Sequence, residues 1–290
     1  MERVIAGQGH TCVLASGRMH CWGWDEDGQL GNGTTAFAYA GPLLVPLDGV
    51  TAMEAGYTTT CAIRTDGTVW CWGHGARGVA DTSSPSAIST PIRWGSFSDA
   101  VQVAAGNETC VRRAGGQVHC SRFGGGTAGE WPRERVEWLG ATDVDVGSDH
   151  ACVVLDGGVS CIGENDSGQV GTGTTSTYAG VTSVSLPETV VDVALSTRTS
   201  CARGLSGRVY CWGDGSDLLT GPFGAPDTTV PQAIPGTVGA QALECGQGFC
   251  CVHFGGVDVR CWGDNYNGQI GDGTGGSGVE LDTPSPVDWP

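Results

Sequence analysis

Six pairs of cysteines recur along this chain of 290 residues, and the two members of each pair are nine or ten residues apart. The first cysteines of successive pairs are separated by 49, 49, 42, 49 and 50 residues. A period of this size is the signature of a repeat architecture. The pairs are Cys12 with Cys21, Cys61 with Cys71, Cys110 with Cys120, Cys152 with Cys161, Cys201 with Cys211 and Cys251 with Cys261.

The segment between the cysteines of each pair predicts a β-hairpin. In the first pair the midpoint falls between Ser16 and Gly17, a two-residue turn with glycine where a positive φ is needed. Pairing outward from this turn places Cys12 opposite Cys21. The ten-residue hairpins centre on a three-residue turn and again leave their cysteines opposite each other. Directly opposed residues at a non-hydrogen-bonded antiparallel position have Cα atoms about 4.5 Å apart, just inside the range that a disulfide spans.

Cross-strand disulfides are therefore predicted for the six pairs, and two alternatives stay open. The cysteines could be free thiols in the core, because free cysteine behaves as a small hydrophobe. They could bind a metal, although zinc sites favour a shorter C-x2–4-C spacing and four ligands. Cys245 and Cys250 occur in the last unit only and are predicted to form a seventh disulfide.

Charge and hydropathy limit the classes of partner. The net charge of −17 argues against nucleic acid, whose affinity comes mainly from phosphate neutralisation. No window of 18 apolar residues exists, so no membrane span is predicted. The first residues lack the apolar core of a signal peptide. Because disulfides are typical of oxidising compartments, we expect an extracellular or periplasmic protein whose export signal has been removed.

Aligned on the cysteines, the units share further motifs. The first unit has Gly-Gln-Gly-His-Thr before Cys12, Trp-Gly after Cys21, and Asp27-Gly-Gln-Leu-Gly-Asn-Gly-Thr in the following loop. The fourth and last units repeat the loop as Ser167-Gly-Gln-Val-Gly-Thr-Gly-Thr and Asn267-Gly-Gln-Ile-Gly-Asp-Gly-Thr. These motifs resemble the regulator of chromosome condensation repeat family along the whole chain. The paired cysteines are not part of that family's usual pattern.

The resemblance implies an all-β fold, a single β-propeller over residues 1–290. We count six blades, whereas seven is the family norm. Strands such as Val69 to Trp72 show no apolar/polar alternation, as expected of blade strands covered on both faces. A proline-bearing strand precedes most hairpins, and the same segment ends the chain near Pro284 to Val287. We therefore expect the C-terminal strand to join the N-terminal blade and close the ring.

Histidine and tryptophan occupy recurring places in the units. His10 and His150 stand two residues before the first cysteine, where we expect a hydrogen-bonded structural role, with a catalytic or metal role as the alternative. Four tryptophans follow the second cysteine of their hairpins, and we expect them to pack between blades. They are Trp22, Trp72, Trp212 and Trp262.

The loops after the hairpins are acidic and contain Asp25, Asp27 and Asp214. Such loops can hold calcium through oxygen ligands. None matches the EF-hand template, and Asp and Asn are also ordinary turn formers. Neither a metal nor a cofactor is therefore predicted.

The third unit departs most from the repeat. After Cys120 the Trp-Gly motif and the Gly-Gln-Leu-Gly loop are missing, and a segment rich in arginine and tryptophan takes their place. Trp and Arg are common anchors of protein interfaces. The predicted binding residues are Arg122, Trp131, Arg133, Arg135 and Trp138. The alternative is neutral drift of a degenerate repeat.

No catalytic motif of the G-x-S-x-G or H-E-x-x-H type occurs. The sequence predicts a secreted or periplasmic, non-enzymatic binding module that presents loops to a protein or glycan partner. The alternative is an enzyme with acidic residues such as Asp25, Asp27 and Asp214 at the mouth of the propeller channel. Guanine-nucleotide exchange, the activity of the family's namesake, is a weaker alternative because disulfides point away from the cytosol.

Overall fold

The computed structural model describes residues 3–74, 87–121, 135–217, 226–276 and 280–288. In this part of the chain, 24 strands form six four-stranded antiparallel sheets, and the helical content is a single 3-10 turn at Gly215–Asp217. None of the described segments is a helix long and apolar enough to cross a bilayer. The chain divides into two compact units, Met1–Gly140 and Ala141–Pro290, and the prediction of one domain stays a prediction.

The first unit contains three sheets, and the strands of each follow one another in chain order. Sheet one consists of β1 (Arg3–Ala6), β2 (His10–Ala15), β3 (Arg18–Asp25) and β4 (Ala36–Asp48). Sheet two consists of β5 (Val50–Ala55), β6 (Thr59–Arg64), β7 (Val69–His74) and β8 (Ala87–Trp94). Sheet three consists of β9 (Ala100–Ala105), β10 (Thr109–Arg113), β11 (Val118–Cys120) and β12 (Arg135–Trp138).

The second unit repeats this plan with three more sheets. Sheet four consists of β13 (Ala141–Val146), β14 (His150–Leu155), β15 (Gly158–Asn165) and β16 (Ser176–Val184). Sheet five consists of β17 (Val190–Leu195), β18 (Thr199–Gly204), β19 (Val209–Gly213) and β20 (Thr228–Ala233). Sheet six consists of β21 (Ala242–Cys245), β22 (Phe249–His253), β23 (Val259–Asp264) and β24 (Glu280–Pro286).

The second and third strands of every sheet form the predicted hairpin. In sheet one Ser16 and Gly17 turn the chain with φ of 53° and 71°, and Cys12 lies opposite Cys21. The cysteines of the other five hairpins are opposed in the same way, as Cys71 is to Cys61 in sheet two and Cys161 is to Cys152 in sheet four.

All seven predicted disulfides are present, and their Cα atoms are 4.0–4.1 Å apart. The alternatives of free core thiols and metal ligands are therefore wrong for these cysteines. The bonds join Cys12 to Cys21, Cys61 to Cys71, Cys110 to Cys120, Cys152 to Cys161, Cys201 to Cys211, Cys251 to Cys261 and Cys245 to Cys250.

Apolar side chains and disulfides fill the space between successive sheets within each unit. Between sheets one and two the core contains Leu14, Met19, Val45 and Met53 together with Trp72. Strand β6 is buried at five successive residues, which explains why its sequence shows no alternation. Trp72, Trp212 and Trp262 are fully buried, whereas Trp22 is half-buried.

The predicted role of the C-terminal strand is wrong. Strand β24 pairs with β23 of its own sheet, where Ser285 lies opposite Cys261, and the N-terminal sheet has β4 as its fourth strand. The proline-bearing segments at Pro42, Pro91, Pro231 and Pro284 thus complete the sheet of the hairpin before them and do not lead into the next, whereas Pro132 lies outside the described residues. The reason is local: a strand that returns onto the neighbouring strand closes a shorter loop, which costs less chain entropy.

Candidate functional site

The predicted binding segment of the third unit is described only in part. Arg122, Trp131 and Arg133 lie outside the described residues. Arg135 is the first residue of β12, where its backbone pairs with that of Cys120. Trp138, at the other end of β12, is only 3% exposed. Its ring therefore belongs to the core of the first unit.

Each of the two histidines in the recurring place links its sheet to the next one. His10 Nε2 lies 2.8 Å from Thr60 Oγ1, and the Thr60 hydroxyl donates to the main-chain oxygen of Gln29 at 2.8 Å. Trp72 Nε1 donates to the same oxygen at 2.9 Å. The Gln29 carbonyl in the loop of sheet one thus anchors two side chains of sheet two.

The second unit contains the same network. His150 Nε2 lies 2.9 Å from Ser200 Oγ, which donates to the main-chain oxygen of Gln169 at 2.8 Å. Trp212 Nε1 donates to this oxygen at 2.9 Å. Because the same three-part network joins sheet one to sheet two and sheet four to sheet five, we assign it to the repeat and not to a ligand site.

The hydrogen bonds determine the protonation of these histidines. The Thr60 and Ser200 hydroxyls donate to the main-chain carbonyls of Gln29 and Gln169, so each hydroxyl oxygen accepts a hydrogen bond from the Nε2–H of its histidine. Each Nδ1 is buried without a hydrogen-bond partner. Burial lowers the pKa of His10 to about 4 and that of His150 to about 3. Both rings are therefore neutral at pH 7.

Asp25, one of the acidic residues weighed for catalysis, is fully buried in the loop after β3. Its Oδ1 accepts the backbone N–H of Leu30 at 2.9 Å, and Oδ2 is buried without a hydrogen-bond partner. Burial raises the pKa of the Asp25 carboxyl, and the Leu30 hydrogen bond opposes this effect. The buried carboxylate therefore stabilises the loop.

Asparagine occupies the place of Asp25 in two other loops. Asn165 Oδ1 accepts the N–H of Val170, and Nδ2 donates to the Thr174 carbonyl at 3.0 Å. Asn265 makes the same bond to Ile270, and its Nδ2 donates to Thr274 Oγ1 at 3.0 Å. An amide therefore suits this place better than a carboxylate, because the surrounding oxygens need a donor.

The other two acidic candidates also support loops. Asp27 lies 4.0 Å from His74 Nε2, and its backbone N–H donates to Gln29 Oε1 at 3.0 Å. Asp214 accepts the backbone N–H of Ser216 at 2.7 Å and its hydroxyl at 2.6 Å. Asp25 and Asp27 share one loop of the first unit, whereas Asp214 lies in the second unit.

The second unit carries a further acidic group at the end of β15, where Glu164 lies near Asp149, a proximity that the sequence does not predict. Burial raises the pKa of Glu164, and the charges of Asp166 and Asp149 raise it further, whereas Arg198 lowers it. Arg198 forms an ion pair with Asp166 at 3.3 Å. An alignment of the repeats could have located this group. Asp149 directly precedes β14 and Glu164 lies at the end of β15, and these two places are at the same end of one hairpin.

Comparison with known proteins assigns these repeats. Models of the regulator of chromosome condensation (RCC1) repeat match residues 16–63 and 50–79. Human E3 ubiquitin-protein ligase HERC2 is 28% identical over 294 residues, which cover 90% of this chain and 6% of that protein. Ultraviolet-B receptor UVR8 of Arabidopsis thaliana is 25% identical, over 93% of this chain and 54% of its own length. The chain thus spans only part of either relative.

Two solved structures show the fold. Prp20p from Saccharomyces cerevisiae superposes with a TM-score of 0.83 at 18% identity, covering 99% of this chain and 76% of that one. Human WBSCR16 superposes with a TM-score of 0.84 at 20% identity, covering 99% and 82%. With the six four-stranded sheets, these matches confirm the predicted fold class, an all-β propeller.

Proposed function

We propose that this chain, which belongs to the regulator of chromosome condensation repeat family, is a non-enzymatic binding module for a protein partner. One observation carries this proposal. The groups that an acid–base site would need, His10, His150 and Asp25, are buried and hold loops and sheets together. A scaffold braced in this way suits binding, because preorganised surfaces lose little entropy on association.

The related structures support a protein as the partner. Prp20p has binding properties toward Gsp1p and histones, and a second structure shows Kap60 bound to Prp20p. These partners belong to Prp20p. For this chain they favour a protein over a glycan. The net charge of −17 opposes nucleic acid as the partner.

We further propose that the module works in an extracellular or periplasmic compartment. Seven disulfides are consistent with an oxidising environment. The same property makes nucleotide exchange on a cytosolic GTPase the weakest of the alternatives.

The enzyme alternative depends on Asp25, Asp27 and Asp214. Asp25 is fully buried, and the other two carboxylates are half-buried next to the loops that they support. A substrate would have to displace hydrogen bonds of the Asp25 and Asp214 carboxylates before it contacted either group. The binding proposal requires no such change, and we therefore favour it.

We place the partner on the arginine-rich segment of the third unit, with Trp131, Arg133, Arg135 and Arg122 as contacts and Trp138 as the buried end of the segment. Five of the fourteen arginines lie between Arg112 and Arg135, and three of these five fall in this segment of a chain whose net charge is −17. Aromatic and arginine side chains supply much of the affinity of protein interfaces.

A peptide selection tests the proposal. The oxidised protein is immobilised, a phage-displayed random peptide library is selected on it, and the enriched peptides are measured against the Trp131→Ala/Arg133→Ala variant. Loss of two anchor residues should weaken binding by about 2 kcal/mol or more, roughly 30-fold in Kd. The same protein is applied to a glycan array.

The matched control replaces another Trp/Arg pair. Arg64 lies over the Trp70 ring at 5.8 Å in sheet two, so Arg64→Ala/Trp70→Ala removes the same residue types elsewhere. Peptide affinity should survive in this control. Equal losses in both variants, or glycan binding without any enriched peptide, would contradict the proposal.

A further inference from the structure

One position recurs at the contact between successive sheets. The residue before the first cysteine of a hairpin packs against the first cysteine of the preceding sheet. Thr109 Oγ1 lies 3.8 Å from Cys61 Sγ, and Ser200 Oγ lies 3.6 Å from Cys152 Sγ. In sheet six this position is Cys250, whose Sγ lies 3.8 Å from Cys201 Sγ. A sulfur thus replaces the usual hydroxyl.

The residue opposite this position has changed as well. Cys245 pairs with Cys250 across β21 and β22, where sheet five has Leu195 opposite Ser200. The substitution of both members creates the seventh disulfide and places it against the hairpin disulfide Cys201–Cys211. The sulfurs of Cys201, Cys245 and Cys250 all lie within 4.8 Å of one another. Among the described residues, no other two disulfides are in such contact.

Exposure to solvent differs among these four cysteine residues. Cys201, Cys211 and Cys250 are 0% exposed, whereas Cys245 is half-buried. A dissolved thiol therefore reaches this pair of disulfides through Cys245. Exchange requires such access, because the attacking thiolate must touch a sulfur of the bond that it breaks.

We propose that Cys245–Cys250 is a reactive disulfide that exchanges with a dithiol and passes the exchange to Cys201–Cys211. A thiolate of the dithiol attacks Cys245 Sγ, and the Cys250 thiolate leaves. The Cys250 thiolate then attacks Cys201 Sγ, 3.8 Å away, and the Cys211 thiolate leaves and takes a proton. The second thiol of the reagent releases Cys245 as a thiol. The dithiol is oxidised to a disulfide, and the four cysteines of the relay hold one disulfide, Cys201–Cys250, and two thiols, Cys211 and Cys245, while the other five disulfides are unchanged.

Partial reduction tests this relay on the folded, oxidised chain. Reduced dithiothreitol at limiting concentration is followed by N-ethylmaleimide and digestion with trypsin and Glu-C. Cys201 then lies in fragment 199–203, Cys211 in 209–244, and Cys245 and Cys250 in 245–260, which the Cys251–Cys261 disulfide joins to 261–280 throughout. Before reduction, fragment 199–203 is linked to 209–244. After the relay this link is lost, fragment 199–203 is linked to 245–260, and Cys211 and Cys245 carry the label.

The variant Cys245→Leu/Cys250→Ser restores the residue pair of sheet five and serves as the matched control. Under the same conditions its link between 199–203 and 209–244 should persist. Three results would overturn the proposal: label on Cys245 and Cys250 with Cys201–Cys211 intact, equal loss of the Cys201–Cys211 link in the control, or reduction of another bridge before Cys245–Cys250.

Discussion

At the scale of single residues, burial determines what the polar side chains can do. His10 and His150 resemble catalytic candidates in the sequence, but each is at most 3% exposed. The Nε2–H of each ring donates a hydrogen bond to a hydroxyl of the next sheet. Asp25 is a carboxylate in a place where two other loops use asparagine. These residues therefore govern how stability depends on pH.

The first prediction concerns the buried histidines. Their folded pKa values, about 4 for His10 and about 3 for His150, lie below the unfolded value of 6.5. The unfolded chain therefore binds more protons below pH 6.5, and stability falls as the pH drops from 6.5 toward the folded values. Each unit of pKa difference corresponds to about 1.4 kcal/mol.

Urea denaturation between pH 4 and 8 measures this slope. The variant His10→Thr/His150→Thr copies Thr59 and Thr199, which occupy the same place in sheets two and five. It should be less stable than the parent at pH 8 and show a flatter profile below pH 6.5. An unchanged slope in this variant would contradict the assignment of neutral rings.

The second prediction concerns Asp25. Because its folded pKa is raised, the native state holds the proton more tightly, and stability falls as the pH rises from the unfolded pKa through the folded one. Asp25→Asn supplies a donor for the buried Oδ2 position. It should stabilise the protein by about 1 kcal/mol at pH 7, as measured by urea denaturation.

The reciprocal variant provides the control. Asn165→Asp places a carboxylate where Nδ2 now donates to the Thr174 carbonyl, and it should destabilise at pH 7 but not at pH 3. If both variants behaved alike, the two loops would not be equivalent and the interpretation of Asp25 would fail.

At the scale of the elements, the Gly-Gln-x-Gly loops of sheets one and four each connect their sheet to the next sheet of the same unit. The Gln29 carbonyl accepts from Thr60 and Trp72, and the Gly33 N–H donates to the Ser89 carbonyl at 2.7 Å. In the second unit Gly173 makes the same bond to Thr229 at 2.9 Å. The loop is thus a structural link between sheets, and its glycines serve close approach.

The third prediction compares two glycines with the same backbone conformation. Gly17 has a φ of 71° with open space around it, whereas a Cβ on Gly31, at a φ of 68°, would lie 2.5 Å from Trp72 Nε1. Gly17→Ala should cost about 1–2 kcal/mol, from the positive φ alone. Gly31→Ala should cost roughly 1–3 kcal/mol more, because Trp72 must move.

Thermal unfolding followed by tryptophan fluorescence distinguishes the two variants. The Gly31 variant should also alter the native fluorescence, since Trp72 would lose its bond to Gln29, whereas the Gly17 variant should leave the native spectrum unchanged. Equal melting temperatures for the two variants would show that the backbone of the Gly31 loop shifts to accommodate the added Cβ and that Trp72 stays in place.

At the scale of the whole molecule, six repeats carry their own disulfides, and each sheet is assembled from consecutive strands. Each hairpin bridge closes a loop of nine or ten residues, so its chain-entropy contribution is at most about 3 kcal/mol. The bridges therefore strengthen each sheet separately and do not connect distant parts of the chain.

The fourth prediction follows from this arrangement. Alkylation of the native protein without reductant, followed by intact mass spectrometry, should add no label, because all fourteen cysteines are in disulfides. Full reduction should lower the melting temperature measured by calorimetry, since every sheet loses its bridge. Labels on Cys12 and Cys21 in the unreduced protein would contradict the cross-strand pairing.

The sequence by itself determined what depends on neighbours along the chain. Counting outward from Ser16 and Gly17 was enough to place Cys12 opposite Cys21, because a two-residue turn sets the register of its hairpin. The period of the cysteines likewise predicted the six sheets, and the loop motifs predicted the resemblance to regulator of chromosome condensation repeats. Such features follow from local backbone geometry, which is set by residues that are close together in the sequence.

Only the tertiary structure decided what depends on contacts between segments. It showed that β24 completes its own sheet, that Trp138 is buried, and that Cys250 contacts Cys201 from the next sheet. A proline-bearing strand can pair with the hairpin before it or after it, and its sequence is compatible with both. Packing between sheets selects one arrangement, because the free energy of that choice lies in side chains that are far apart in the sequence.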